Sequence, residues 1–264
     1  MITSKKFGKL EILTAEGITT PHCFTTRFGG VSTGALSSMN LAIKLDETDD
    51  NVVRNFEILG SALGFDIPDL VLTRQTHSDI VRVVTRDDCS GPFHRDYPEC
   101  DALVTNSPGV ALTVFTADCT PLLFHDPVTG AVGAAHAGWR GTVSAIGSKT
   151  VEAMVRNFGC KAEDIHAAIG PNIGFCHFET DRDVPDALLA VFGDEVQPFI
   201  RQAGEKYYAD LKAINAMILR RAGIRHVEIS DDCTMCSPDR FWSHRVTRGI
   251  RGSQGAVIVR RKCQ

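Results

Sequence analysis

The sequence contains no long apolar run, and this absence argues against two classes of protein. A membrane-spanning helix needs about 20 consecutive, mainly apolar residues, and no segment of the 264 residues approaches that length. The first residues, MITSKKFGKLEILTAEG, contain lysines but lack the apolar core of a secretory signal peptide. We therefore expect a cytoplasmic protein with no membrane partner.

Several short motifs of known chemistry are also missing. The glycine turn at residues 26–32, TRFGGVS, lacks both the phosphate-loop lysine and the GxGxxG spacing of standard nucleotide-binding loops. The nine histidines include no His-x-His pair, so the paired ligands of a multicopper cluster are not visible. The cytidine-deaminase signature, H-x-E with P-C-x-x-C, is absent as well.

The composition has no strong excess of either charge. Lys and Arg number 28 and Asp and Glu 32, a formal net charge of −4, so the overall charge does not attract nucleic acid. No internal repeat or low-complexity linker interrupts the chain, and we expect one domain over residues 1–264. The nine cysteines follow no regular framework, which favours free thiols and metal ligands over disulfides.

Short apolar runs outnumber helical segments and often follow one another directly. Nine runs predict strands: Leu70–Leu72, Ile80–Val84, Ala102–Val104, Val110–Thr116, Pro121–Phe124, Ala131–Ala135, Ile165–Ile169, Val227–Ile229 and Ala256–Val259. Helical spacing of apolar residues predicts four helices: Asn51–Leu63, Thr142–Phe158, Val184–Phe192 and Leu211–Ala222. This pattern favours an α+β protein with a mixed sheet over a regular βαβ array.

The most informative feature is a cysteine that is followed seventeen positions later by a histidine. Cys119 comes after the run Val110–Thr116 and His136 after the run Ala131–Ala135, so we expect both side chains at one sheet edge. His77 also lies where a strand meets a loop and is the best third ligand. A thiol and imidazoles suit zinc, and an open fourth position would make a reaction centre. The alternative is a buried thiol and two unrelated, hydrogen-bonded histidines.

Charged and small residues surround these candidates. Asp118 precedes Cys119 and is either a proton carrier or a structural carboxylate. The turn AGWRG after His136 leads into a predicted helix, where free N–H groups and Arg140 would suit an anion. The turn that carries Arg27 leads on to Asn40 and could bind a phosphate or ribose. An ordinary loop is the simpler interpretation.

A long loop at residues 169–179, IGPNIGFCHFE, brings further reactive side chains. Cys176 and His177 could be further ligands or a nucleophile–base pair, but adjacent side chains usually point apart, so we do not expect them to act together. Phe178 either stacks on a base or packs in the core.

Two motifs near the C-terminus complete the set. The CTMC motif at residues 233–236 lacks the second ligand pair of a zinc ribbon. Redox chemistry is the alternative there, but we expect two reduced thiols. Residues 241–245, FWSHR, carry the hydroxyl, imidazole and guanidinium groups that bind sugars or phosphates. Surface polar residues would give the same pattern.

Seven motifs, in order along the chain, resemble those of the YfiH-like family. They are TTRFGGVS at 25–32, QTH at 75–77, DALVT at 101–105, TADCTP at 116–121, HAGWRG at 136–141, GPNI at 170–173 and FWSHR at 241–245. The resemblance extends from about Phe24 to Val259. This family has been labelled multicopper polyphenol oxidase, or laccase-domain, and is now regarded as purine nucleoside phosphorylase with adenosine deaminase and methylthioadenosine phosphorylase activities.

The resemblance implies a layered α/β/β/α fold with mixed sheets and a zinc ion held by His77, Cys119 and His136. The family often has a second arginine where Val246 stands here, which leaves Arg248 or Arg251 to supply that phosphate contact. The catalytic candidate is Asp118. The substrate or phosphate-binding candidates are Arg27, Asn40, Gln75, Arg140, Phe178, His244 and Arg245.

Three functions stay open at this point. The first is a zinc enzyme that phosphorolyses adenosine, inosine and methylthioadenosine and deaminates adenosine, with nucleoside and phosphate as its small-molecule partners. The second is a copper-dependent phenol oxidase, which one thiolate and two histidines can support only in part. The third is a metal-free hydrolase with Cys119 as nucleophile and His136 as its base. A non-catalytic binding protein would not need so many reactive side chains.

Overall fold

A computed structural model describes residues 1–43, 50–92 and 98–261, and its strands form two six-stranded sheets and one small sheet. The first sheet contains, in spatial order, β1 (Ile2–Phe7), β2 (Leu10–Ala15), β3 (His22–Thr25), β15 (Gln254–Val259), β7 (Ala111–Thr116) and β4 (Leu70–Leu72). The second contains β14 (His226–Ile229), β10 (His166–Ile169), β8 (Thr120–His125), β9 (Val132–Ala137), β6 (Ala102–Thr105) and β5 (Val81–Val83). The small sheet contains β11 (Glu179–Thr180), β13 (Lys206–Ala209) and β12 (Ile200–Ala203).

Three of the four predicted helices agree with the structure to within one residue at each end, and the short helix at residues 244–247 was not predicted. The helices are α1 (Asp50–Leu63), α2 (Trp139–Val143), α3 (Ile146–Phe158), α4 (Asp183–Phe192), α5 (Leu211–Arg221) and α6 (His244–Thr247). The single predicted helix Thr142–Phe158 is wrong, because α2 and α3 are separated at Ala145. This residue has a left-handed backbone, with φ of 54°, which a continuous right-handed helix does not allow. None of the helices in the described residues combines the length and apolar character that a membrane crossing needs.

The two large sheets pack face to face, and helices cover their outer faces. Side chains such as Phe24, Leu112 and Leu123 fill the space between the sheets. The outer face of the first sheet packs against α1 through Phe56 and its neighbours. The outer face of the second packs against α3 and α5 through residues that include Met154. The predicted α+β class and α/β/β/α layering are therefore confirmed.

Burial on both faces explains which strands were visible in the sequence. Every residue of β8, β9 and β15 is buried, so these strands read as continuous apolar runs. The strand β1 is a half-exposed edge strand with the sequence ITSKKF, and β12 and β13 also carry exposed polar side chains. Such strands are held by main-chain pairing and have no apolar pattern, so they were not predicted from the sequence. The strands β2, β3 and β11 were not predicted either.

The connections between the sheets determine where functional side chains meet. The chain leaves β7 in the first sheet, passes through residues 117–119 and enters β8 in the second. The strand β9 pairs antiparallel with β8, which sets His136 opposite Pro121. On the other side of β8, β10 pairs parallel with β14, so the loops that follow these two strands leave the same end of the sheet.

Candidate metal centre

His77, Cys119 and His136 come together, and their ligand atoms lie within 4.8 Å of one another. Cys119 Sγ lies 3.8 Å from His77 Nε2. The rings of His77 and His136 meet edge to face, with centroids 4.9 Å apart and an interplanar angle of 81°. The structure thus gathers the three predicted ligands into one group, although their role as ligands stays a prediction.

The expected common sheet edge for Cys119 and His136 is confirmed. Cys119 directly precedes β8, and His136 is the second-last residue of β9, which pairs with β8 so that Thr120 faces Ala137. The two side chains therefore lie at the same end of the second sheet. The apolar runs before them nevertheless belong to different sheets, because β7 lies in the first sheet and β9 in the second.

Asp101, which the sequence analysis quoted only as part of a motif, organises two of the three candidate ligands. Its fully buried carboxylate accepts a 2.7 Å hydrogen bond from His136 Nδ1 and a 3.1 Å bond from the backbone N–H of His77. It also accepts bonds from the backbone N–H groups of Thr76 and Ser78 and from the Ser78 hydroxyl. With Nδ1 donating to Asp101, His136 presents Nε2 to the centre, an orientation that metal-binding histidines commonly take.

The protonation states follow from this close packing. Burial alone would raise the pKa of Cys119, but the charge of His136 and hydrogen bonds with both histidines lower that pKa to about 6. Burial would lower the pKa of His136, but the Cys119 thiolate and Asp101 raise it to about 9. Burial likewise opposes ionisation of Asp101, and its donors nevertheless lower its pKa to about 2. The centre therefore favours a thiolate, the form in which cysteine binds a metal.

The donor set fits a single tetrahedral ion. Zinc lies about 2.3 Å from sulfur and about 2.1 Å from nitrogen, so tetrahedral S and N ligands are about 3.6 Å apart, close to the observed 3.8 Å between Cys119 and His77. Gly138 closes the centre on one side. A Cβ on Gly138 would lie 2.8 Å from His77 Cδ2 and 3.4 Å from Cys119 Sγ, so only glycine leaves both ligands undisturbed.

An open cavity of about 470 Å³ leads to this centre. His77, Cys119 and His136 line it, together with Gln75, Phe115 and Arg251. Arg251 is the residue that the sequence analysis named only as a substitute for the missing arginine. Its guanidinium donates to Gly252 O at 3.0 Å and to Ser253 Oγ at 3.1 Å. A cavity of this size with a few convergent polar groups is typical of small-molecule sites.

Asp118 holds the turn that carries Cys119. One carboxylate oxygen accepts a 2.6 Å hydrogen bond from the Thr234 hydroxyl, and the other accepts from Ser243 Oγ at 3.1 Å and Arg245 N at 2.7 Å. Asp118 is buried and has a φ of 86°, in the left-handed region. With both oxygens engaged by the chain, the geometry favours the structural alternative over the proton carrier.

Three of the residues predicted to bind substrate instead form hydrogen bonds that hold loops of the chain in place. Arg27 stacks on Trp242 at 3.8 Å and donates to Pro238 O at 2.6 Å and Ser37 O at 3.1 Å. Asn40 is buried, and its Oδ1 accepts from the backbone N–H groups of residues 42 and 253. Gln75 pairs with the main chain of Phe115, with its Oε1 accepting at 2.7 Å and its Nε2 donating at 2.8 Å. Of the three, only Gln75 lines the cavity.

The remaining four candidates lie outside the residues that line the cavity. Arg140 is exposed, with its guanidinium 4.2 Å from the Trp139 ring. Phe178 packs among the apolar residues around α4. Arg245 donates to Glu179 O at 3.0 and 3.1 Å. His244 Nδ1 accepts from Arg251 Nε at 3.3 Å, so His244 reaches the cavity only through that arginine.

The described residues contain a second group with metal-ligating side chains: Cys176, His177, Cys233 and Cys236. The expectation that Cys176 and His177 point apart is wrong. They lie in a turn, where side chains do not alternate as they do in a strand, and His177 Nδ1 is 3.1 Å from Cys176 Sγ. The expectation that the CTMC motif has no second pair is wrong too. Cys263, the ninth cysteine, lies outside the described residues, and the other eight are free thiols.

Comparison with known proteins assigns the family. The profile of the family described as multi-copper polyphenol oxidoreductase laccase matches residues 21–261. The chain belongs to this family. A purine nucleoside phosphorylase from Deinococcus radiodurans is 40% identical over 254 residues, which cover 94% of this chain and 92% of that protein. The adenosine deaminase RL5 of an unknown prokaryotic organism is 35% identical over 260 residues, 94% of this chain and 97% of its own.

A solved structure agrees with the fold as well. The crystal structure of YlmD from Geobacillus stearothermophilus superposes with a TM-score of 0.88 at 31% identity and covers 99% of this chain and 100% of its own. The family resemblance seen in the motifs is thus confirmed. Because the relatives carry the names of enzymes over nearly their full length, the prediction of an enzyme is confirmed too.

Proposed function

We propose that this chain is a zinc-dependent enzyme of purine nucleosides. In phosphorolysis, adenosine, inosine or methylthioadenosine and phosphate give the free base and the 1-phosphate of the sugar. In deamination, adenosine and water give inosine and ammonia. The observation that carries the proposal is a cavity lined by both the three-residue centre and a guanidinium, in a chain whose relatives are named for these reactions.

The residues of the cavity suit the parts of such a substrate. Arg251 supplies a fixed positive charge for phosphate. Burial lowers the pKa of Arg251, and the charges of Asp118 and Cys119 oppose that shift. The guanidinium therefore remains charged at neutral pH, since its ordinary pKa is above about 12. Phe115 offers an apolar ring to the purine.

The metal chemistry would depend on residues that this chain holds in fixed positions. His77, Cys119 and His136 would hold the zinc ion, which when bound supplies Lewis acidity for activating water or polarising a substrate group. Asp101 keeps the proton of His136 on Nδ1, so Nε2 is directed at the centre. Asp118 holds the backbone on the N-terminal side of Cys119. The rigid placement of both ligands reduces the reorganisation that substrate binding would otherwise require.

The direct test is product analysis by chromatography with metal-replete protein. Adenosine with phosphate should give adenine and ribose 1-phosphate, and adenosine without phosphate should give inosine. Inosine with phosphate should give hypoxanthine. Absence of base, inosine and ribose 1-phosphate in all three incubations would refute the proposed activity.

Replacing Arg251 with methionine should separate the two reactions. We expect the KM for phosphate to rise about tenfold or more, because one charge-assisted contact contributes about 1.5–3 kcal/mol, while phosphate-independent deamination is reduced far less. Steady-state kinetics at varied phosphate measure the difference. Arg140→Met removes an exposed arginine outside the cavity lining and serves as the matched control. An unchanged phosphate KM in Arg251→Met would assign the phosphate to another group.

The family description keeps a copper-dependent phenol oxidase as the first alternative. In the described residues, the two groups with three or more possible metal ligands include one with two histidines and one with a single histidine. A four-electron oxidase needs several coppers, and these histidines are too few for such a cluster. Metal analysis together with oxygen uptake distinguishes the two functions, since the nucleoside enzyme consumes no oxygen.

The low pKa of Cys119 and the high pKa of His136 keep a metal-free cysteine hydrolase as the second alternative. A thiolate beside an imidazolium is the activated pair of such enzymes. His77 distinguishes this alternative, because a dyad of Cys119 and His136 does not need it as a ligand. Loss of bound metal together with activity in His77→Ala would favour the metal enzyme.

A further inference from the structure

A compact group of four side chains lies on two loops outside the residues that line the cavity. Cys176 and His177 follow β10, and Cys233 and Cys236 follow β14. Their four ligand atoms lie within 4.8 Å of one another.

The fold itself brings these loops together. Because β10 and β14 are parallel neighbours, the segments after them leave the same end of the sheet. An isolated parallel bridge between Asn172 and Cys233 continues their pairing, and Thr234 N donates to Asn172 O at 2.9 Å. The residue pair at 176–177 therefore meets the CTMC turn and supplies the second ligand pair that the motif lacked in the sequence.

Three separations within the group lie close to the edges of a tetrahedron around one zinc ion, and a fourth, 3.1 Å between Cys176 Sγ and His177 Nδ1, is shorter. Cys176 Sγ and Cys236 Sγ are 3.6 Å apart, and His177 Nδ1 lies 3.4 Å from Cys236 Sγ and 3.7 Å from Cys233 Sγ. With about 2.3 Å to sulfur and about 2.1 Å to nitrogen, tetrahedral zinc sets S–S edges near 3.8 Å and S–N edges near 3.6 Å. A disulfide would require about 2.05 Å between two sulfurs.

The surrounding backbone is arranged as it is around a metal-bound thiolate. Gly174 N donates to Cys233 Sγ at 3.1 Å. Such N–H donors partly neutralise a ligating sulfur and fix its direction. A Cβ on Gly174 would lie 3.1–3.3 Å from the side chains of Cys176 and Cys233, so the loop passes close beside the group.

We propose that Cys176, His177, Cys233 and Cys236 form a second, structural zinc site, separate from the centre at His77, Cys119 and His136. Three thiolates and one imidazole fill all four positions of a tetrahedral ion, and a filled set of ligands is the mark of a structural site. Soft sulfur ligands in this number favour zinc over magnesium, calcium or manganese. The span of 4.8 Å fits one ion, not a cluster of several.

The second site would stabilise the first one through Thr234. This residue lies within the CTMC turn, and its hydroxyl donates at 2.6 Å to Asp118, which precedes Cys119. Lys212 holds the start of the same loop by donating to Ser230 O at 2.7 Å and Asp232 O at 2.6 Å. A metal ion that ties the CTMC turn to residues 176–177 would thus keep Thr234 in place beside Asp118.

Metal content per chain, measured by plasma mass spectrometry on full-length protein purified without added metal, tests this proposal. We expect two zinc ions in the wild type and one in each of Cys236→Ser and His177→Ala. Cys89→Ser, at a half-buried cysteine outside both groups, is the matched control and should keep two. Zinc content that is unchanged in both cluster variants would overturn the proposal, as would a disulfide between any two of the three cysteines in the purified wild type.

X-ray absorption at the zinc edge provides a second measurement, which still applies if the cluster variants fail to fold. Two occupied sites give a mean of two sulfur neighbours per zinc in the wild type, three at one site and one at the other. Occupancy of the first centre alone gives one sulfur and overturns the proposal. The variant Cys119→Ser separates the two sites. It should keep one zinc with three sulfurs, whether or not the proposed nucleoside chemistry is correct.

Discussion

Replacing Asp101 with alanine is expected to have the largest effect of any change outside the three candidate ligands. The carboxylate is fully buried and accepts hydrogen bonds from His136, from the Ser78 hydroxyl and from three consecutive backbone N–H groups at residues 76–78. Removing one partner of a buried, charged network costs about 3–5 kcal/mol. We therefore expect the free energy of unfolding, measured in urea, to fall by about that amount.

The same substitution should weaken metal binding at the first centre. Loss of the group that orients a ligating histidine typically lowers metal affinity about 10–100-fold, and here His77 loses its backbone anchor at the same time. Competition with a chelator measures the change. Asp101→Asn keeps an acceptor for His136 and should lie between wild type and Asp101→Ala.

Asp79→Ala provides the matched control for Asp101. Asp79 lies in the loop of His77, beside the backbone that Asp101 holds. Its ion pair with Lys149 is exposed, and such pairs contribute at most about 1 kcal/mol. Equal losses of stability and metal affinity in the two variants would contradict the role assigned to Asp101.

The sequence predicted the layers of the fold better than the pairing of its strands. Runs such as Val110–Thr116 and Ala131–Ala135 were visible because both faces of their strands are buried. Their assignment to one sheet or two depends on contacts between residues far apart in the chain, which no local pattern encodes. The exposed edge strand β1 pairs with β2, the next strand along the chain, across a turn of only two residues, 8 and 9. Its polar side chains nevertheless give no alternation of apolar and polar residues from which a strand could be predicted.

The sequence also predicted only some of the residues of the candidate site. His77, Cys119 and His136 were identifiable by residue type and by their positions at the ends of apolar runs. Asp101 was not, because a carboxylate that orients a ligand has no distinguishing local pattern. The second group was not predicted, because adjacent side chains were expected to point apart. That expectation holds in strands, whereas Cys176 and His177 lie in a turn. For Asp101 the missing information was contact with residues 23–35 positions away in the chain. For the second group it was the local backbone path.

Replacing Asp118 with asparagine is expected to weaken metal binding without removing a catalytic proton transfer. Asparagine tolerates the left-handed backbone at this position, with φ of 86°. However, its amide has one acceptor oxygen, whereas the carboxylate serves Thr234, Ser243 and the Arg245 N–H with two. We expect metal affinity at the first centre to fall about 10–100-fold, with kcat per loaded site and the shape of its pH profile close to wild type.

A proton carrier at Asp118 would give the opposite result. Metal content would be preserved, kcat would fall about 10²–10⁴-fold, and one limb of the pH profile would disappear. Chelator competition and a pH series of kcat, both measured on Asp118→Asn, therefore separate the two roles. Asp231→Asn, an exposed carboxylate on the loop that carries Thr234, is the control and should leave both measurements unchanged.

Because Thr234 links Asp118 to the CTMC turn, Thr234→Val should reproduce part of the loss of metal affinity at the first centre. A wild-type affinity in that variant would mean that the two metal groups act independently.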